Sequence, residues 1–131
     1  MILTDKDIRA LCTNEKKSTA GMINPFFEES LQSESYDLAI GKRIAVLKKE
    51  VRCIDITDQN KIDSIYDEME LPASGYVLSP KEYVLVSLNE NIALPESITA
   101  HIRPRTRFTR LGLLVSDQHC NSTYEGNLKL G

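Results

Sequence analysis

The stretch "LSPKEYVLVSLNENIALPESITAHI", Leu78–Ile102, decides the fold class. Within it, "KEYVLVSL" and "SITAHIR" are rich in the β-branched and aromatic residues that suit a pleated strand. Pro80 and Pro95 mark "LSPKEYV" and "ALPES" as turns at which a strand reverses. Proline fixes its own φ and lacks the donor that a ladder needs. Short strands divided by such turns point to a mainly β sandwich or barrel, not to a parallel α/β sheet.

Toward the N-terminus the strand signal recurs. "YDLAIG" alternates Leu38 and Ile40 with other residues and ends at Gly41, and "RIAVLKKEVRCIDI" follows with strand-like content. Between these and Leu78, "TDQNKIDSIYDEMEL" is acidic and breaks the β pattern, so it reads as a solvated excursion with a helical turn. Further back, "MINPFFEESLQSES" reads as an irregular arm, with Pro25 arguing against regular structure. "LTDKDIRALC" predicts one short helix over about 5–12. Thr4 stands at the N-cap with Asp7 three residues on, and Ile8 and Leu11 share a face. The polar residues 13–20 end it. Toward the C-terminus, "NLKLG" reads as a strand cut off in mid-course.

Composition bounds the function. The chain has 131 residues, a size expected for one domain spanning 1–131. Hydrophobic residues make up 41% and charged residues 27%, the balance of an ordinary globular chain. The apolar runs are too short for a transmembrane helix, and "MILTDKDIRAL" carries charge where a signal peptide needs an apolar core. The three cysteines, Cys12, Cys53 and Cys120, are odd in number and widely spaced, which suits a reducing cytoplasm. A net charge of −3 and a pI near 5.4 argue against nucleic acid or membrane as a general partner.

Against that acidic background stands "RPRTRFTRLGL", Arg103–Leu113, with four arginines in eight residues. Pro104 suits a helix start and Gly112 a C′ position, so a short helix is expected over about 105–111. The unpaired amides of a helix N-terminus attract anions, and Thr106 adds a hydroxyl. Arg105, Arg107 and Arg110 add forked donors that match phosphate oxygens. Phe108 and Leu111, three apart, are expected to anchor the helix on the core. The competing reading is a solvated basic segment in salt bridges with the many Asp and Glu residues.

Several elements, taken in order, resemble the dCTP deaminase branch of the trimeric dUTPase superfamily. They are "MILTDKDIRAL", "LQSESYDLAIG", the Leu78–Ile102 stretch, "RTRFTRLGL" and "YEGNLKL". The resemblance implies a distorted jelly-roll-like β fold and a homotrimer with sites shared between subunits. It also implies a deoxynucleoside triphosphate, dCTP or dUTP, carrying Mg²⁺ on its phosphates. Arg105, Thr106 and Arg110 match the family's phosphate-binding positions, and Arg107 replaces a serine there. The family's deaminating glutamate falls on Gly131, counted from Gly126, and glycine cannot shuttle a proton. The aspartate of the related diphosphatases falls on Asn121, which can hydrogen-bond a sugar hydroxyl but cannot act as a base. The stretch "SDQHCNSTYEG" is slightly shorter than in the usual deaminases, so Asp117 and His119 are the candidates to fill the missing catalytic role. The alternative is that both are loop polars. The strands that follow in the family are expected to be missing here, which would leave an exposed edge.

Zinc chemistry is not expected. The His-x-Glu and Pro-Cys-x-x-Cys of zinc deaminases are absent, and His119–Cys120 stand far in sequence from Cys12, Cys53 and His101. Cys120 has His119 beside it, but neighbours on a strand face opposite ways. Asp37 reads either as functional in the sense of the family or, as preferred here, as a strand-end aspartate that accepts backbone hydrogen bonds. Three functions remain from sequence: hydrolytic deamination of dCTP to dUTP and ammonia, a dUTP diphosphatase-like activity, or nucleotide binding without catalysis.

Overall fold

A computed structural model describes residues 1–13 and 21–131. The polar run expected to end the first helix therefore lies, from residue 14 on, outside the described residues. Helix α1 spans Asp5–Thr13. The Asp7 carboxylate accepts the Thr4 amide at 2.9 Å and the Thr4 hydroxyl at 2.7 Å. Those two bonds, the backbone one foremost, hold its pKa below the ordinary carboxylate value. Ile8 faces inward, and the Met22 amide donates to the Leu11 carbonyl, which ties the next segment to the helix.

Among the described residues seven strands follow: β1 (Ile23–Asn24), β2 (Ile40–Leu47), β3 (Tyr66–Glu70), β4 (Val84–Ala93), β5 (Ala100–Ile102), β6 (Gln118–Cys120) and β7 (Glu125–Leu130). Two short helices interrupt them, α2 (Gln59–Ser64) and α3 (Thr106–Thr109), with a 3₁₀ turn at Glu28–Ser30. All pairings between strands are antiparallel. Strand β4, the heart of the Leu78–Ile102 stretch, organises the larger sheet. Ile92 lies opposite Ile23 of β1 and Gly126 of β7, and Val86 lies opposite Ile44 of β2 and Leu130 of β7. β7 therefore takes one edge of β4, while β1 and β2 share the other. β3 completes the sheet on the far side of β2. The second sheet is the β5–β6 ribbon.

Glycine decides one local detail. The β2–β4 register slips between Ile40 and Ile44, a bulge in β2. A Cβ at Gly41 would sit 3.0 Å from the Ser87 carbonyl oxygen and 3.1 Å from that of Leu88. Only a residue without a side chain lets the bulged strand lie that close.

The core gathers Ile8, Met22, Ile23, Leu88, Ile92, Leu94, Cys120 and Leu128. Glu90 lies between Leu88 and Ile92 on the inward-facing row of β4 and is 1% exposed. Its two carboxylate oxygens accept the Ala39 amide at 3.0 and 3.3 Å.

The mainly β architecture and the short N-terminal helix agree with the sequence reading. Four details correct it. "YDEME" is a paired edge strand, not a solvated excursion. Its side chains are exposed or half-exposed on both faces, so it has no apolar alternation to read. An acidic edge of this kind also discourages pairing with other chains. Strand β2 runs through Gly41 and stops at Leu47, so "VRCIDI" is not a strand. The arm at 22–35 buries Met22 and Ile23 and contributes β1. Strand β4 continues through "NEN" to Ala93. Among the described residues no helix is long and apolar enough to cross a membrane.

Candidate functional site

The arginine segment connects β5 to β6. Arg105 is the N-cap of α3 in extended conformation, and Arg110 is its C-cap. Gly112 follows at φ 81°, donating its amide to Thr109, while the Leu113 amide returns to Phe108. The expected helix over 105–111 is thus a single turn plus its exit. Pro104 lies just before the cap and not inside the helix, and Gly112 lies one residue beyond C′. Among the described residues the Thr106 and Arg107 amides have no backbone acceptor.

The four arginines divide into two kinds. Arg105 Nη1 lies 2.9 Å from Asp37 Oδ2, the oxygen that also accepts Gln32 Nε2 at 3.2 Å. Asp37 is therefore not a strand-end acceptor of backbone bonds: it holds an arginine, because the chain leading into β2 passes beside α3. Arg103 Nε lies 3.6 Å from Asp117 Oδ1. Arg107 and Arg110 have no carboxylate within 4.0 Å among the described residues, and the Arg107 guanidinium rests 5.1 Å from the Phe108 ring centre. Two charges are thus compensated and two remain available for an anion.

The expected anchoring of α3 does not occur. Phe108 is 39% exposed and Leu111 81% exposed, and Leu114 beside them is 84% exposed. A one-turn helix lacks the length to lay an apolar stripe on the core while also turning its arginines outward.

The β5–β6 register places the other candidates. His101 pairs with His119, between the pairs Ala100–Cys120 and Ile102–Gln118. The alternation puts Asp117, His119 and Asn121 on the exposed side, with Cys120 buried behind them. His119 Nδ1 meets His101 Nε2 at 3.4 Å, so distance along the sequence did not keep these histidines apart. Burial pushes the Cys120 thiol pKa up, which disfavours a nucleophilic thiolate there. Asn121 opens a turn closed by the Tyr124 amide. Position 131 follows β7, where the Gly131 carbonyl accepts the Ser116 amide at 2.8 Å. A side chain there would collide with the Tyr83 hydroxyl.

The segment 100–121 therefore brings every sequence-derived candidate into one excursion, β5–α3–β6. Two residues escaped sequence reasoning in their present roles. Asp37 had only its place near a glycine to mark it. Glu90 lies in the polar run Asn89–Asn91, which has no apolar alternation to mark an inward position. A shallow depression elsewhere, lined by Arg43, Glu68, Ser87 and Lys129, includes no part of this excursion.

The family match and the curated relatives place the chain in the dCTP deaminase/dUTPase superfamily. Within it, the chain belongs to the dCTP deaminase-like family, whose description matches residues 2–131. A dUMP-forming dCTP deaminase of Sulfurihydrogenibium sp. is 31% identical, covering 99% of this chain and 70% of that protein. One from Hydrogenobaculum sp. is 34% identical, with 99% and 68% covered. A protein of Sulfolobus islandicus rod-shaped virus 1, described as a probable deoxyuridine 5′-triphosphate nucleotidohydrolase, is 29% identical, with 99% and 69% covered. In fold, the chain is similar to a 2′-deoxycytidine 5′-triphosphate deaminase from Agrobacterium tumefaciens, with a TM-score of 0.75 at 23% identity. That likeness covers 98% of this chain, which spans 41% of the solved one.

Proposed function

We propose that this dCTP deaminase-like protein binds a deoxynucleoside triphosphate as its Mg²⁺ complex and hydrolyses dCTP to dUTP and ammonia. The observation that carries the reading is the pair Arg107 and Arg110, without a carboxylate partner among the described residues, beside Thr106 and the Asp37-held Arg105. Guanidinium groups of this kind match phosphate oxygens, and one fixed by a carboxylate loses less freedom on binding. Asn121, on the exposed side of the same excursion, would meet the sugar.

In the proposed reaction, water adds its oxygen to the ring carbon, the carbon–nitrogen bond breaks, and the departing nitrogen leaves as ammonia. This needs a group that takes a proton from water and returns one to the leaving nitrogen. His119 is better placed for it than Asp117, whose carboxylate is engaged by Arg103. We further propose that the sites are completed in a homotrimer. The exposed Phe108, Leu111 and Leu114, close to the arginines in sequence, support this, since several exposed large apolar side chains suit an interface.

One observation favours a second reading, nucleotide binding without turnover: position 131 is a glycine, with no side chain to carry a proton. Purified protein incubated with Mg²⁺ and dCTP, or dUTP, separates the two when ammonia and pyrophosphate are followed. Ammonia from dCTP is the expected result. Neither product, with nucleotide still bound, would leave the binding-only reading, and no binding at all would overturn both.

A further inference from the structure

We propose that His101 and His119 form a two-imidazole site for a late first-row divalent cation, Cu²⁺, Ni²⁺ or Zn²⁺, on the exposed side of the β5–β6 ribbon. The two residues are direct cross-strand partners, and both side chains are exposed. Directly opposed positions hold their Cβ atoms only about 4.5–5.5 Å apart, so the rings meet without backbone movement. His119 Nδ1 and His101 Nε2 lie 3.4 Å apart. Two metal–nitrogen bonds of about 2.0–2.1 Å meeting at a tetrahedral angle span about 3.3–3.4 Å between nitrogens. The ring centres are 4.7 Å apart and the planes inclined by 56°, so nitrogen edges converge and the faces do not stack. Neither imidazole has another hydrogen-bond partner among the described residues. A cation could enter there by a small turn of each ring, with the ring protons carried on His119 Nε2 and His101 Nδ1.

Imidazole nitrogen is a ligand suited to all three ions, and Cu²⁺ is bound most tightly in the general order of divalent affinities. No third His, Cys, Asp or Glu completes the set among the described residues, so the remaining positions take water. Asp117, two residues along the same side, is occupied by Arg103. The competing account of the pair is a plain N–H···N hydrogen bond, which binds no metal.

The test is calorimetric titration of the full chain with CuCl₂, NiCl₂ and ZnCl₂, with copper also followed by visible absorption. The parent carries C53S, because Cys53 is an exposed thiol that would compete for the ions. One ion per chain is expected, with Cu²⁺ tightest, and H101A or H119A each weakening binding by at least about tenfold. Saturating Ni²⁺ is expected to raise the Tm of the parent and leave the double variant unchanged. Circular dichroism establishes that each variant is folded. The proposal is overturned if either single variant keeps the parent affinity, or if the parent binds no more metal than the double variant.

Discussion

At the scale of single residues, what distinguishes the arginines is their partners and not their number. Arg103 and Arg105 face Asp117 and Asp37, whereas Arg107 and Arg110 have no carboxylate nearby among the described residues. Such exposed pairs add little to stability, about 1 kcal/mol or less. What they do instead is orient. In the proposed complex an incoming phosphate engages the Arg110 guanidinium at the helix exit, so Arg110→Ala is expected to weaken triphosphate binding about tenfold or more, the range of a charge-assisted hydrogen bond. Calorimetry with dCTP reads this directly, and an unchanged affinity would remove Arg110 from the phosphate site. The arginine island was legible in the sequence. Its division was not, because Asp37 reaches Arg105 only when the approach to β2 folds against α3.

At the scale of elements, strand β4 carries the architecture, and sequence located it from its proline-bounded ends. Its extension through Asn89, Glu90 and Asn91 was hidden, because a polar run gives no apolar alternation. Those residues are strand nonetheless: Asn91 lies opposite Asn24 on one edge and Asn127 on the other, the Asn89 amide donates to the Ala39 carbonyl, and Glu90 accepts the Ala39 amide. The same reasoning explains β3, whose ladder to β2 and not its side chains makes it a strand. The bulge at Gly41 gives a test at this scale. In Gly41→Ala the new methyl presses on the carbonyls of Ser87 and Leu88, backbone atoms that yield poorly. A loss of about 1–3 kcal/mol is expected, read from the urea midpoint. An unchanged midpoint would mean that β2 does not approach β4 so closely in solution.

At the scale of the whole molecule, the apolar side chains that fail to reach the core matter most. Phe108, Leu111 and Leu114 stand exposed on the excursion that also carries the arginines. In the proposed homotrimer, that surface is covered by a neighbouring chain and the phosphate site is completed at the same stroke. Sedimentation equilibrium is expected to give three chains for the wild type. Leu114→Asp is expected to give single chains with an unchanged far-ultraviolet circular dichroism spectrum, because Leu114 lies outside the core. A trimer that survives the substitution would place the interface elsewhere.

The sequence by itself determined the mainly β class, the turns at Pro80 and Pro95, the Thr4–Asp7 cap, and the gathering of positive charge at 103–110. Each of these is a local preference, written within a few residues and independent of what packs against it. Only the tertiary structure decided which arginines are compensated, that an acidic stretch serves as an edge strand, that Glu90 is buried, and that His101 meets His119. Those outcomes depend on strand register and on chain passing near chain. Register is fixed by burial of one face of each strand across the whole sheet, which no short window of sequence contains.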